Sequence, residues 1–169
     1  MSRSEHQLLL IGRDNILAVM KDADAGDAER VFRLLAALTR QGYHLLVTAR
    51  QPEQWTGEHG SPDDALLGPD SIRKRLADAG GKLDGVYYLR RSLLTQRRNR
   101  EDALQDILRR YGVPAENCFL ISSQKKFLAS ARSLGFQTTQ LDHDCSLLEA
   151  LQPLTNPAQP PPNEKLRNL

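Results

Sequence analysis

The sequence predicts an α/β fold on a mainly parallel sheet of about five strands, a Rossmann-like arrangement of three layers. Short apolar runs alternate with amphipathic stretches of helical length, the pattern of right-handed strand–helix–strand crossovers. The runs are rich in Leu, Ile and Val and apolar throughout, as strands buried on both faces are. Glycines punctuate the ends of several helical stretches, and no internal repeat interrupts the series.

Leu8 to Ile11 is the first such run and ends at Gly12. Asp27 to Gln41 places Val31, Leu34, Leu35 and Leu38 at helical spacing, with Gly42 as a stop. Tyr43 to Ala49 predicts the second strand, followed by a polar stretch rich in Pro and Gly, Gln51 to Pro69. Asp70 can cap a helix running to Ala79 and closed by Gly80 and Gly81. Gly85 to Leu89 is the third strand, and the arginine-rich loop Arg90 to Arg98 leads to a helix from about Arg100 to Tyr111. Asn99 reads as its N-cap, with Asp102 three residues on as in a capping box. Cys118 to Ser122, the helix Gln124 to Leu134, the strand Phe136 to Leu141 and a short helix Asp144 to Leu151 complete the series. From Gln152 onward five prolines fall within 18 residues, which reads as a disordered tail after a domain of residues 1–151.

The length of 169 residues suits one domain with one core. Twenty-three Lys and Arg against 21 Asp and Glu leave a formal charge of +2, too small to argue for nucleic acid or a membrane surface. Two cysteines, Cys118 and Cys145, are too few for a disulfide framework or a zinc cluster. The apolar run after the polar start is too short for a signal peptide, and no run is long enough to span a bilayer. A soluble protein of the reducing cytoplasm is expected.

Parallel sheets place ligands at the carboxyl ends of their strands. The positions that matter are therefore Gly12 to Asn15, Thr48 to Gln51, Arg90 to Arg98 and Ser122 to Gln124. The strings "LLLIGRDN" from Leu8, "LLVT" from Leu45, "IRKRLADAGGKLDGVYY" from Ile72 and "LRRYGVPAENCFLISS" stand in an order and spacing that resemble a known family. Over residues 7 to 142 the chain is similar to the haloacid dehalogenase superfamily. More narrowly, it resembles the D-glycero-D-manno-heptose-1,7-bisphosphate 7-phosphatases and the related histidinol phosphatases.

That resemblance implies four motifs, and the chain departs from most of them. Active members end their first strand in Asp-x-Asp-Gly, where the first Asp attacks phosphorus and the second serves as acid and base. Here Gly12 stands at the nucleophile position, Asp14 at the acid/base position, and Asn15 where the family has Gly; Arg13 matches a residue common in the subfamily. Thr48 matches the hydroxyl that holds the phosphoryl oxygens. Arg98 falls on the lysine of the third motif, keeping a cation but replacing a compact ammonium with a planar fork. Ser122, Ser123 and Phe127 take the places of a Gly-Asp-x-x-x-Asp motif whose acids help hold Mg²⁺. The subfamily's Cys/His zinc loop has no counterpart, since Leu89 to Arg100 contains neither residue.

The resemblance thus implies a pseudo-phosphatase with vestigial positions Gly12, Asp14, Thr48, Arg98 and Ser123, binding neither Mg²⁺ nor zinc. Candidate ligand-binding residues are Arg13, Asp14, Thr48, Arg50 and Arg98, for an anion or sugar phosphate. Five arginines in the 11 residues from Arg90 to Arg100 add positive charge, unless Glu101, Asp102 and Asp106 balance them on a solvated surface. A phosphorylated small molecule, a protein partner or a second copy of the chain are the partners this leaves. The alternative is an active sugar-phosphate phosphatase with divergent motifs. His44 and Cys118 read as structural, and Cys145, beside His143 and Asp144, is too close to them in sequence for a triad.

Overall fold

The computed structural model describes residues 6–21, 25–50, 72–89 and 97–155. The polar stretch Gln51–Pro69 with Trp55 and His59, the Asp70 cap, the loop 90–96 and the tail from residue 156 lie outside the described residues.

Strand β1, Gln7–Gly12, is the centre of the molecule because Leu8, Leu9, Leu10 and Ile11 are all fully buried. The two-residue period of a strand sends them alternately to opposite faces. Leu9 and Ile11 enter one apolar cluster, and Leu8 and Leu10 the other. Burying one such side chain contributes about 1.5–3 kcal/mol before entropy is counted, so this strand anchors both cores.

β1 runs straight into helix α1, Arg13–Lys21, and α2, Ala25–Arg40, follows. Then come β2, Tyr43–Arg50; α3, Ile72–Asp78; β3, Gly85–Leu89; and α4, Arg97–Tyr111. A turn of 3-10 helix at Ala115–Asn117 leads to β4, Cys118–Ser122. The described chain closes with α5, Lys125–Ser133; β5, Gln137–Gln140; and α6, Leu147–Thr155. The five strands pair in parallel in the order β3-β2-β1-β4-β5. Ile16 of α1, Val31, Leu35 and Leu38 of α2, Ile72 and Leu76 of α3 and Leu147 of α6 cover one face. Leu104 and Ile107 of α4 with Leu128 and Ala131 of α5 cover the other. The result is the three-layer doubly wound architecture, whose strand order reverses between β1 and β4. Gly42 and Gly80, with φ of 104° and 89°, end α2 and α3 in the left-handed conformation that favours glycine.

Three local expectations are corrected. Helix α1 was not foreseen: Asp14 and Asn15 are poor helix formers, and the helix is held by packing, with Ile16 buried and Leu17, Val19 and Met20 set against the core. Asn99 is inside α4 rather than its N-cap. The helix starts at Arg97, where the Arg97 Nε–Glu101 Oε1 pair at 2.9 Å staples the first turn. The last helix begins at Leu147, not Asp144. Asp142 Oδ1 accepts the N–H groups of Asp144 and Cys145 in a turn, and Ser146 Oγ then accepts the Glu149 N–H at 3.2 Å as the true cap. That helix runs through Pro153 to Thr155, with Leu154 against the core.

Candidate functional site

The reversal of strand order leaves a cavity of about 260 Å³ at the carboxyl ends of β2, β1 and β4. Gly12 to Asn15, Thr48 and Ala49, Leu89, and Ser122 to Gln124 line it with Phe127. Ala49, Leu89 and Phe127, all buried, make its apolar wall.

Two helices start at this cavity. α1 follows directly on Gly12, which has no side chain to cap it, and α5 follows Gln124, which makes no side-chain cap bond. The first N–H groups of a helix lack intrahelical partners, and its dipole makes that end partly positive. Carboxylates usually sit there. Yet α5 has no acid in its first turn and instead carries Lys125 and Lys126, both exposed, while α1 offers Arg13 beside Asp14. Cations at a helix N-terminus cost energy rather than contribute it. Among the described lining residues Arg13 and Asp14 are the charged ones, so the partly positive helix starts face one side-chain charge of each sign.

Thr48 lies opposite Gly12 in the β1–β2 register and is only 6% exposed. Among the described residues its hydroxyl has no hydrogen-bond partner, and no side-chain polar atom sealed from solvent is left unpaired. The Thr48 hydroxyl therefore opens onto the cavity. Ser122 is committed to structure: its hydroxyl accepts the Gln124 N–H at 3.0 Å and its carbonyl accepts the Leu141 N–H at 2.9 Å. Ser123 is exposed and accepts a bond of 3.1 Å from Asn15 Nδ2. A Cβ built on Gly12 would come within 2.8 Å of Asn15 Oδ1 and 4.0 Å of Thr48 Oγ1. The Asn15 carboxamide thus occupies the space above Gly12.

Of the residues singled out from sequence, Gly12, Arg13, Asp14, Thr48 and Ser123 meet at this cavity. Arg98 is exposed in the first turn of α4 and is not among its lining residues. Arg50 ends β2, and its side chain lies outside the described residues. Asp14 is the single carboxylate among the described lining residues. Leu89, as part of the apolar wall, and the bridging role of Asn15 were missed. The signal for Asn15 was present in the two departures that the resemblance implies at positions 12 and 15, but linking them requires the helix that starts between them.

Neither thiol belongs to this site's chemistry. Cys118 is fully buried, donates to the Pro114 carbonyl at 3.4 Å, and burial pushes its pKa up to about 12. Burial, reinforced by Glu149 and Asp142, also raises that of Cys145.

No family model matches the sequence, and no curated protein matches it significantly. Solved structures do. A predicted HAD-like hydrolase from Porphyromonas gingivalis superposes with a TM-score of 0.53 at 14% identity, covering 90% of this chain and 98% of that one. The D,D-heptose 1,7-bisphosphate phosphatase of B. bronchiseptica, solved with magnesium and phosphate, gives 0.52 at 16% identity over 88% and 97% of the two chains. This chain has the haloacid dehalogenase-like fold. An uncharacterised protein from Corynebacterium glutamicum is also similar, at 0.52 and 19% identity over 81% and 85%. Haloacid dehalogenase-like phosphatases thus share the scaffold, and the chemistry of the cavity is a matter for its own residues.

Proposed function

We propose that this chain is a non-catalytic protein on a phosphatase-type scaffold, binding a phosphorylated small molecule or similar oxyanion at the strand-end cavity. The observation that carries the reading is Gly12, which stands at the end of β1 where the resemblance puts a nucleophilic carboxylate. An aspartyl-phosphate cannot form on a residue without a side chain.

The donor set does not fit Mg²⁺. That ion favours oxygen ligands in an octahedron and is held by one or two carboxylates. Among the described lining residues a single carboxylate, Asp14, accompanies neutral hydroxyls and amides beside Arg13. The same residues suit an anion: two helix starts without side-chain caps, Arg13, and the Thr48 hydroxyl, unpaired among the described residues, converge on one cavity.

A ligand that binds only the folded state raises the melting temperature. With EDTA present, inorganic phosphate and a hexose phosphate are expected to raise it, and the unphosphorylated hexose is not. Thr48→Val, which keeps the strand's shape, should weaken the shift severalfold, and added salt should shrink it. Equal shifts from hexose and hexose phosphate, or a shift indifferent to Thr48→Val, would refute the reading.

A further inference from the structure

The carboxyl ends of β1 and β4 converge at the cavity, and in this chain a side-chain bridge spans them. Asn15 Nδ2 donates to Ser123 Oγ at 3.1 Å, joining residues 108 apart in sequence. Asn15 stands on the first turn of α1, three residues past Gly12, so the helix carries its carboxamide back over the glycine. There its Oδ1 takes the position that any side chain at residue 12 would need, since an added Cβ would approach it to 2.8 Å. The bridge connects the strand ends that bear Gly12 and Ser123. By the resemblance, these are the two strand ends whose carboxylates would share a cation.

We propose that Asn15 is the positioning residue of this cavity. Its carboxamide, bonded to Ser123, performs the cross-linking that a divalent cation would otherwise supply, so the site is preformed without metal. The absent side chain at Gly12 and the added one at Asn15 are then a single coupled exchange. The local charge agrees, because among the described lining residues Arg13 and Asp14 are the charged ones, and a single carboxylate beside a guanidinium is a poor holder of a divalent cation. The inference rests on the reading of the cavity as a metal-free anion site, and its test separates the two.

The test is a set of melting curves on the full chain and on Gly12→Ala, Asn15→Ala, Ser123→Ala and the doubles Gly12→Ala/Asn15→Ala and Asn15→Ala/Ser123→Ala. Each is run in EDTA, in millimolar Mg²⁺ and in inorganic phosphate. Ser123→Ala is expected to lower the melting temperature of the parent by about 2–4 °C, the shift of losing roughly one hydrogen bond in a chain this size. It should leave that of Asn15→Ala unchanged. Gly12→Ala should destabilise the parent, by forcing the carboxamide off Ser123, and should cost nothing in Asn15→Ala. Such non-additivity is the mark of directly interacting side chains. Mg²⁺ and EDTA should give the parent the same curve.

Additive effects in both pairs would overturn the bridge whatever phosphate does. A rise in the parent's melting temperature with Mg²⁺ that Asp14→Asn abolishes would overturn it too, by revealing a cation site. Coupled pairs with no phosphate shift in the parent would uphold the bridge and refute anion binding.

Discussion

Position 12 and position 15 are brought together by the placing of one side chain, the Asn15 carboxamide. By the resemblance, position 12 carries a Gly for an Asp and position 15 an Asn for a Gly, yet the sequence does not show that the two positions touch. Contact requires α1 to begin at Arg13, so that residue 15 returns over residue 12 after one turn. Because Asp14 and Asn15 disfavour helix, that start was not legible, and neither was the bridge. Cys118 was legible, since an apolar strand predicts a buried, inert thiol. Its burial has a consequence for stability against pH. An unfolded thiol titrates near about 8.5, whereas in the fold Cys118 holds its proton up to about 12. Between those values the native state binds more protons than the unfolded chain, so stability falls as pH rises. Cys145, Tyr43 and Tyr111, all raised chiefly by burial, act in the same direction. Melting temperature should therefore decline steadily from about pH 8.5 upward, and Cys118→Ala should flatten the decline. A curve of unchanged slope in Cys118→Ala would show that other groups carry it.

Among the elements, the strands were read almost to the residue because continuous apolar runs have few other uses. Helix starts were less legible, since they depend on side-chain pairs that form only after folding. Arg97 is such a case: its pair with Glu101 moves the start of α4 ahead of Asn99. Arg100, one turn in, is buried and donates to Ser130 Oγ at 3.0 Å, which fastens α4 to α5 and turns part of the arginine-rich segment inward. At the other end of the chain, Pro153 suggests a break, but Leu154 packs against the core and carries α6 to Thr155. A chain ending after Gln152 should therefore melt several degrees lower than the parent, because it loses that apolar contact and the last turn. One ending after Thr155 should melt within about a degree of it, as expected if the proline-rich segment adds nothing to the fold. Equal melting of the two truncations would show that the last turn of α6 is dispensable.

At the scale of the whole molecule, the alternation of strands and helices predicted the sheet, and the sheet predicted where a ligand would go. The reversal of strand order between β1 and β4 brings Gly12, Thr48 and Ser123 together from three separate segments. What the residues there can do is a narrower question than what the fold has been used for elsewhere. On the proposed reading, two helix starts without side-chain caps and the Thr48 hydroxyl, unpaired among the described residues, favour an anion, while a single carboxylate among the described lining residues and a Gly at position 12 oppose the hydrolysis of a phosphate ester. That the protein binds without turning over is the central claim. Its most direct test is phosphate release by the repurified chain in millimolar Mg²⁺, from a heptose bisphosphate and a panel of simple phosphate monoesters, with Asp14→Asn as control. The account predicts release indistinguishable from that of the control. A turnover above about 1 s⁻¹ that requires Mg²⁺ and disappears in Asp14→Asn would contradict it.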